Sequence, residues 1–340
     1  MNKFTNKKAF IGIDISKESL DLALIQETSY GQFEDFKIEN SFNGFDKIHE
    51  WLEKKKIKPE DCVFCMEHTG VYGLLLFAWF TQMGYDYTVE PGLKIKRSLG
   101  TTRGKNDKID ARRIADYAFT QKAKLEPFIL PSALLIQVKQ LLTYREQLTR
   151  FITSLKNSLK SHEQYQRISG LRSISEDIKG QIADLEERIK NVEKEVLTII
   201  QSDEELKKNY QLATSVKGIG FVIAAFMLVT TNNFTAFENA RKYACYSGIA
   251  PFEHASGTSI SSKSRVSHLA NKRMKTLLYN GANSAYRHDP EIRNYYQRKI
   301  AEGKDHQLVM NAICYKLVSR TFAVVKRQTP YSTFYAQNFA

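Results

Sequence analysis

The sequence predicts an α/β domain followed by two mainly helical segments, and three observations carry that prediction. Short apolar runs with period-two character open the chain. Long apolar seams spaced by three and four residues fill its middle. Glycine-punctuated apolar helices and a serine-rich basic stretch close it. At 340 residues and 42% hydrophobic content the chain has length for about two cores. The expected divisions are 1–125, 132–205 and 209–340.

From Ala9, AFIGIDIS is a continuous apolar run that ends in an acid, and SLDLALIQ and QFEDFKIEN follow with alternating character, so three strands should form an antiparallel meander. FDKIHEWLEKKK has the spacing of an amphipathic helix, CVFCME that of a short buried strand, and VYGLLLFAWFTQMG that of an apolar helix stopped by Gly84. YDYTVE is a fifth strand. After the loop PGLKIKRSLGTTRGKN a helix should run from about Asp107 to Gln121. The order βββαβαβα is that of a ribonuclease-H-like domain, a mixed sheet with helices on both faces.

In the middle, Val138, Leu141, Arg145, Leu148, Ile152, Leu155 and Leu159 form one heptad seam, and Ile178, Ile182, Leu185, Ile189, Val192, Val196 and Ile199 a second. Two long helices should pack as a coiled-coil hairpin or against a second subunit; an ordinary bundle gives the same pattern. Farther on, Gly218 and Gly220 bracket a turn between two apolar helical segments. That is either a plain interhelix turn or a helix-hairpin-helix-like element whose backbone N–H groups hold a phosphate. A serine-rich basic loop then leads into a helix, and HQLVMNAICYKLVSRTFAVVKR makes the last one.

The net charge of +13 and pI near 9.4 coexist with 37 acidic residues, which describes a basic folded chain whose expected partner is a polyanion, nucleic acid first. No signal peptide is apparent and no segment approaches the roughly 18 apolar residues of a membrane span, so a cytoplasmic or nucleoid location and no membrane partner are expected. Cys62 and Cys65 form a lone C-x-x-C with no second half to complete a zinc set, and read as part of a buried strand.

Carboxylates carry the first candidate site. Asp14 ends the first strand, Glu67 ends the fourth, and Asp107 and Asp110 open the last helix of the same domain. Each alone also reads as a turn residue or a helix cap. Together they converge, because the first and fourth strands of such a sheet are neighbours and the final helix crosses beside them. Crowded carboxylates repel unless cations separate them, and hard oxygen donors select Mg²⁺ or Mn²⁺. Two such ions serve phosphoryl transfer. Arg103, Lys105, Lys108, Arg112 and Arg113 surround the acids and are candidates to hold a nucleic-acid backbone. An ATPase of the sugar-kinase or actin type, which also starts with an aspartate after a strand, needs a glycine-rich phosphate turn; the turn at Ile15–Glu18 has no glycine.

The second candidate is SGIAPFEHASGTSISSKSR, in which Ser256 precedes a loop gathering Lys263, Arg265, His268, Lys272, Arg273 and Lys275. A serine needs a base, a metal or positive charge to become a nucleophile, and basic residues here could stabilise a phosphate. Residue types alone leave a solvated loop equally open. Tyr279, Tyr286, Tyr295 and Tyr296 interleave with Arg287, Arg293 and Arg298 and are read as half-buried helix residues rather than base-stacking ones.

FIGIDISK with Asp14, CMEHTGVYG with Glu67, KNDKIDARRIA with Asp107 and Asp110, VKGIGFVIA, and YSGIAPFEHASGTSISSKSR with Ser256 together resemble the DEDD transposases of insertion sequences, in order and over nearly the whole chain. Relatives of that family include site-specific DNA invertases and recombinases guided by an element-encoded bridge RNA. The resemblance implies a RuvC-like domain whose Asp14, Glu67, Asp107 and Asp110 bind Mg²⁺, a coiled coil that assembles dimers into a tetramer, and Ser256 as a nucleophile that joins covalently to DNA. Ser259 and Ser261 remain alternatives, because Thr258 to Ser262 delay the first lysine to Lys263. Gly218, Gly220, Lys263, Arg265, Lys272 and Arg273 are the candidate nucleic-acid contacts of the C-terminal segment. DNA is the expected partner, with a guide RNA implied by the resemblance alone. Two rivals are a junction nuclease using the same acids with water, and a non-enzymatic nucleic-acid-binding protein.

Overall fold

The computed structural model describes residues 3–68, 70–98, 106–250 and 270–332, together with the backbone of 252–256 and 260–265. The chain divides into two units, Met1–Leu130 and Pro131–Ala340.

The first unit runs β1 (Ala9–Ile15), β2 (Ser19–Gln26), β3 (Glu34–Glu39), α1 (Phe42–Lys54), β4 (Cys62–Glu67), α2 (Leu74–Met83), β5 (Tyr87–Glu90), α3 (Gly92–Ser98) and α4 (Asp107–Thr120). Its five strands lie in the order β3-β2-β1-β4-β5, antiparallel among the first three and parallel from β1 through β4 to β5. A serine closes the β1–β2 turn: the Ser16 hydroxyl accepts from the Ser19 N–H at 3.0 Å. Gly84, at φ 71°, ends α2 in the left-handed conformation that costs glycine no Cβ clash.

Strand periodicity sorts the side chains onto two faces. Ile11, Ile13, Leu22, Phe64 and Met66 join Phe45, Trp79 and Phe80 in the core beneath α1 and α2. Phe10, Ala23, Val63 and Cys65 join Ala111, Ile114 and Ala118 beneath α4. Cys62 and Cys65 fall on opposite faces of the sheet, so they cannot bind one metal. Burial pushes the Cys62 thiol up to about 12 and the Cys65 thiol well above its ordinary value. Gly12 sets the spacing of sheet and helix, since a Cβ there would collide with the backbone of Ala111 and Ala115.

The second unit begins with α5 (Ala133–Ser169) and α6 (Ser173–Gln201), then α7 (Glu204–Thr214), α8 (Phe221–Thr230), α9 (Ala240–Tyr246), the hairpin β6 (Phe252–Ser256) and β7 (Ile260–Arg265), α10 (Lys272–His288), α11 (Pro290–Ala301) and α12 (His306–Arg327). Helices α5 and α6 pack as an antiparallel hairpin along the expected seams, burying Val138, Leu148, Ile152, Ile178, Ile182, Val192 and Val196. The polar break at Arg145 is answered across the seam by Glu193, whose carboxylate accepts from the Arg145 Nε at 2.7 Å.

The remaining helices enclose a core that includes Val216, Ile219, Tyr243, Leu278, Ile313 and Leu317. Helix α12 corrects the expectation that no segment is long and apolar enough to span a membrane: its 22 residues meet that test by length and composition. Its apolar character has a packing cause, because Val309, Met310, Ile313, Cys314, Leu317 and Val318 are all core residues of the unit.

Candidate active site

The acids of the first unit gather because strand register and one close helix contact leave them no other place. Asp14 lies opposite Asp21 in the β1–β2 register, and Glu67 lies opposite Glu90 in the β4–β5 register. All four share the strand face of Phe10, Ala23 and Cys65, the face that α4 covers. Because Ala111 rests on Gly12, the first turn of α4 reaches past it toward the end of β1, bringing Asp107 and Asp110 to Asp14. Asp107 is not the helix cap. Asn106 fills that role, its side chain accepting from the Ile109 N–H at 2.8 Å.

Asp14 is half-buried, and its carboxyl is pushed up to about 6, first by burial and then by the charges of Asp107, Asp110, Asp21 and Glu67. The structure thus brings all four predicted acids into one electrostatic neighbourhood and adds Asp21. The positive end of α4 offsets part of the repulsion at Asp107 and Asp110. Lys37 donates to Asp21 at 2.9 Å, and Arg113 donates to Asp110 at 2.8 Å. The Glu67 carboxylate lies against Gly92, where any Cβ would strike it. Beside them Glu90 is buried and bonded to Lys94 at 2.8 Å.

Among the described residues no three His, Cys, Asp or Glu side chains are drawn tightly enough together to grip a metal ion. Asp110 is turned to Arg113. The donor set still fits Mg²⁺ or Mn²⁺. It consists of carboxylate oxygens only, and the crowding that raises Asp14 is what a divalent cation relieves.

The expected backbone-binding cations are held in ion pairs. Lys108 and Arg112 both bind Asp35 of β3, at 2.9 and 2.7 Å, and chiefly through Arg112 they hold its carboxyl below the usual range. Arg103 and Lys105 lie outside the described residues.

In the second unit Ser256 is the last residue of β6, paired with Ile260 of β7, so this stretch is a hairpin where the sequence suggested a loop. Ser259 and His268 lie outside the described residues, as do the side chains of Ser256, Ser261, Lys263 and Arg265. Lys272 is exposed at the start of α10. Arg273 turns inward instead, 3.3 Å from Glu146 though not aligned for a hydrogen bond, with its guanidinium over Phe226. The two glycines differ. Gly218, at φ 96°, packs on α10, where a Cβ would come within 2.7 Å of the Gly281 carbonyl oxygen. Gly220 is exposed with open space around it, as the cap residue of α8.

Sequence reasoning passed over Gly12, Asp21, Lys37 and Glu90. A signal existed for the two acids: each interrupts an apolar strand alternation on the same side as Asp14 or Glu67.

Comparison with known proteins bears on both units. A family model described as a transposase, of the DEDD type in IS110 elements, matches residues 11–165, which hold all four predicted acids. The model of the transposase IS116/IS110/IS902 family matches residues 210–297, which hold Gly218, Gly220 and Ser256. The pilin gene-inverting protein of Moraxella bovis is 25% identical over 329 residues, covering 95% of this chain and 98% of that protein. The insertion element IS110 uncharacterized 43.6 kDa protein of Streptomyces coelicolor is 33% identical over 120 residues, 35% of this chain and 29% of that protein. The transposase for insertion sequence element IS1533 of Leptospira borgpetersenii is 20% identical over 258 residues, 69% and 73% of the two chains. With two family models matched in order across both units, the chain belongs to the IS110-type family of transposases, enzymes that act on DNA.

Proposed function

We propose that the chain is the recombinase of a mobile element, which cuts and rejoins DNA through Ser256 with divalent cations held by Asp14, Glu67, Asp107 and Asp110. The observation that carries this reading is the crowding at Asp14, whose carboxyl is raised to about 6 by burial and by four neighbouring acids. A protein that only bound nucleic acid would gain nothing from carboxylates that repel phosphate. The strand order β3-β2-β1-β4-β5, with its antiparallel first three strands, supports a ribonuclease-H-like sheet.

Bound Mg²⁺ would supply positive charge to the attacking and leaving oxygens of phosphoryl transfer. The chain's own part is then as follows. Asp14 and Glu67 are fixed by neighbouring parallel strands, while Asp107 and Asp110 are fixed by α4, so the donor atoms hold their spacing without a flexible loop. Ser256 Oγ gives up its proton as it bonds to the phosphorus, the bond from phosphorus to the 3′-oxygen breaks, and that oxygen takes up a proton. DNA stays attached as a 5′-phosphoserine until another 3′-hydroxyl displaces the serine. No nucleotide cofactor is needed, because the ester retains the energy of the broken bond.

A relative named for inverting a pilin gene, which requires that cut ends be rejoined, supports recombination over hydrolysis. The +13 charge is compatible with a guide RNA as well as DNA. The α5–α6 hairpin, with Tyr144, Phe151 and Ile168 exposed, supports assembly of dimers into a tetramer. On this reading the protein works at the nucleoid.

Covalent trapping tests the proposal. Protein, Mg²⁺, labelled DNA flanking the gene and RNA transcribed from that flank are incubated and run on a denaturing gel. A labelled adduct that vanishes in Ser256→Ala and in Asp107→Asn is the expected result. Cut DNA without adduct, persisting in Ser256→Ala, would replace this reading with a hydrolytic nuclease.

A further inference from the structure

Helix α12 has an outward side that the core does not use. Leu308, Ala312, Tyr315 and Ser319 recur at helical spacing along it, with Leu308 54% and Tyr315 39% exposed. Two hollows meet on this stripe and share Ala312 and Tyr315. One, of about 440 Å³, is walled by Tyr295, Lys316 and Arg320; the other, of about 350 Å³, by Arg241, Ile249 and Asn311. Each is of the size that holds a small ligand, about 300–1,000 Å³. Together they make a trough across the helix.

The chemistry of the trough is aromatic and cationic. Lys316 Nζ stands 4.5 Å from the centre of the Tyr295 ring, and Arg298 stands over the same ring at 5.8 Å. Arg320 is taken up by two carboxylates, Glu291 on the wall at 2.6 Å and the buried Asp289 at 2.9 Å, so the cations the trough offers a ligand are Lys316 and Arg241. Arg241 is exposed at the far end. That end is formed by Ile249 and Ala250, just before β6, the strand that terminates in Ser256.

We infer that this trough holds a single strand of DNA with its bases unpaired, beside the root of the Ser256 hairpin. The inference rests on the recombinase reading and goes beyond it by assigning a binding surface. Aromatic rings flanked by cations suit a strand whose bases stack while its phosphates find positive charge. Each hollow, of about 440 and 350 Å³, is nearer the size of one nucleotide than of a base pair, which suits unpaired bases. Along the trough Lys316 and Arg241 stand ready for negative charge, so charge complementarity selects a polyanion.

Fluorescence anisotropy with the full chain tests it, using a labelled twelve-nucleotide thymidine strand, the RNA strand of the same length, and duplex DNA from the element flank. Tyr315→Ala and, separately, Lys316→Gln should each weaken the single DNA strand about tenfold and change duplex affinity less than twofold. Thermal melting checks that each variant is folded, and Tyr315→Phe should retain binding. A strand carrying 5-iododeoxyuridine should photo-cross-link to the peptide containing Tyr315 or to that containing Tyr295. Unchanged single-strand affinity in the folded variants, cross-links elsewhere, or a trough that takes RNA but not DNA would each overturn the inference while duplex binding leaves the recombinase reading standing. Loss of binding to every DNA by the wild-type chain would overturn both.

Discussion

The sheet unit and the long hairpin treat charge in opposite ways. Along α5 and α6, Arg145 meets Glu193, Lys156 meets Glu186, and Lys179 meets Glu163, each pair crossing between antiparallel helices. At the end of β1 the rule is reversed: Asp14, Asp21, Glu67, Asp107 and Asp110 are held near one another, and the carboxyl in their midst is pushed up to about 6. The hairpin uses its charges to pair one helix with the other. The sheet gathers five acids and, among the described residues, answers two of them, Asp21 with Lys37 and Asp110 with Arg113, an excess of negative charge that a further cation would relieve. On the proposed function, that contrast separates groups kept for stability from groups kept for chemistry.

The contrast breaks most clearly under isosteric neutralisation. Asp107→Asn should lower adduct formation by about 10²–10³-fold, the scale of losing one preorganised electrostatic group, while the melting temperature without metal stays level or rises. A drop in stability with activity intact would mean that the acids are structural. Next comes the spacing. Gly12→Ala puts a methyl group into the backbone of α4, so it should cost about 1–3 kcal/mol by overpacking and reduce adduct formation beyond what the stability loss explains; chemical denaturation and trapping on the same protein separate the two.

On the hairpin side, Arg145→Leu strands Glu193 at a partly buried seam and should cost about 1–2 kcal/mol, between the values for surface and buried pairs. The double variant Arg145→Leu with Glu193→Leu should recover most of that in urea unfolding. If the double variant is no better than the single one, the pair does not set the seam.

The smallest effect is a pH dependence. Asp14 has a folded value raised from 3.8 to about 6, so the folded state holds its proton more tightly than the unfolded state does. Stability without metal should therefore fall as pH rises from about 4 to 6 and level off above, and Asp14→Asn should flatten that slope and melt about 2–4 °C higher at neutral pH. Adding Mg²⁺ should stabilise the wild type and leave Asp14→Asn nearly unmoved.

Much of this was legible in local pattern. The continuous apolar run AFIGIDIS and the alternation in SLDLALIQ placed the first strands, the run from Asp107 placed α4, and three-and-four spacing found both seams with Arg145 as their one polar break. What stayed hidden depends on partners far away in the chain. Asp21 joins the acids only through its register with Asp14, and Gly218 reads as a turn until Gly281 of α10 is seen against it. The hairpin around Ser256 was masked by its serines, whose weak strand preference gave no alternating signal. Apolar residues on several sides of α12 had no explanation until its central place in the core was known.

Gly12 and Asp14 sit two residues apart on β1, one beneath the helix and the other among the acids. Their shared face makes the site a matter of counting parity. Deleting or inserting a single residue in β1 would carry Asp14 to the side of Ile11 and Ile13 and turn an isoleucine toward α4. Such a change alters almost nothing in composition, yet it removes the acid and the helix seat together. Across a lineage of these chains, the strand should therefore drift freely by substitution at its apolar positions while its length stays fixed, and a shift in length is the signature to look for in copies that no longer move.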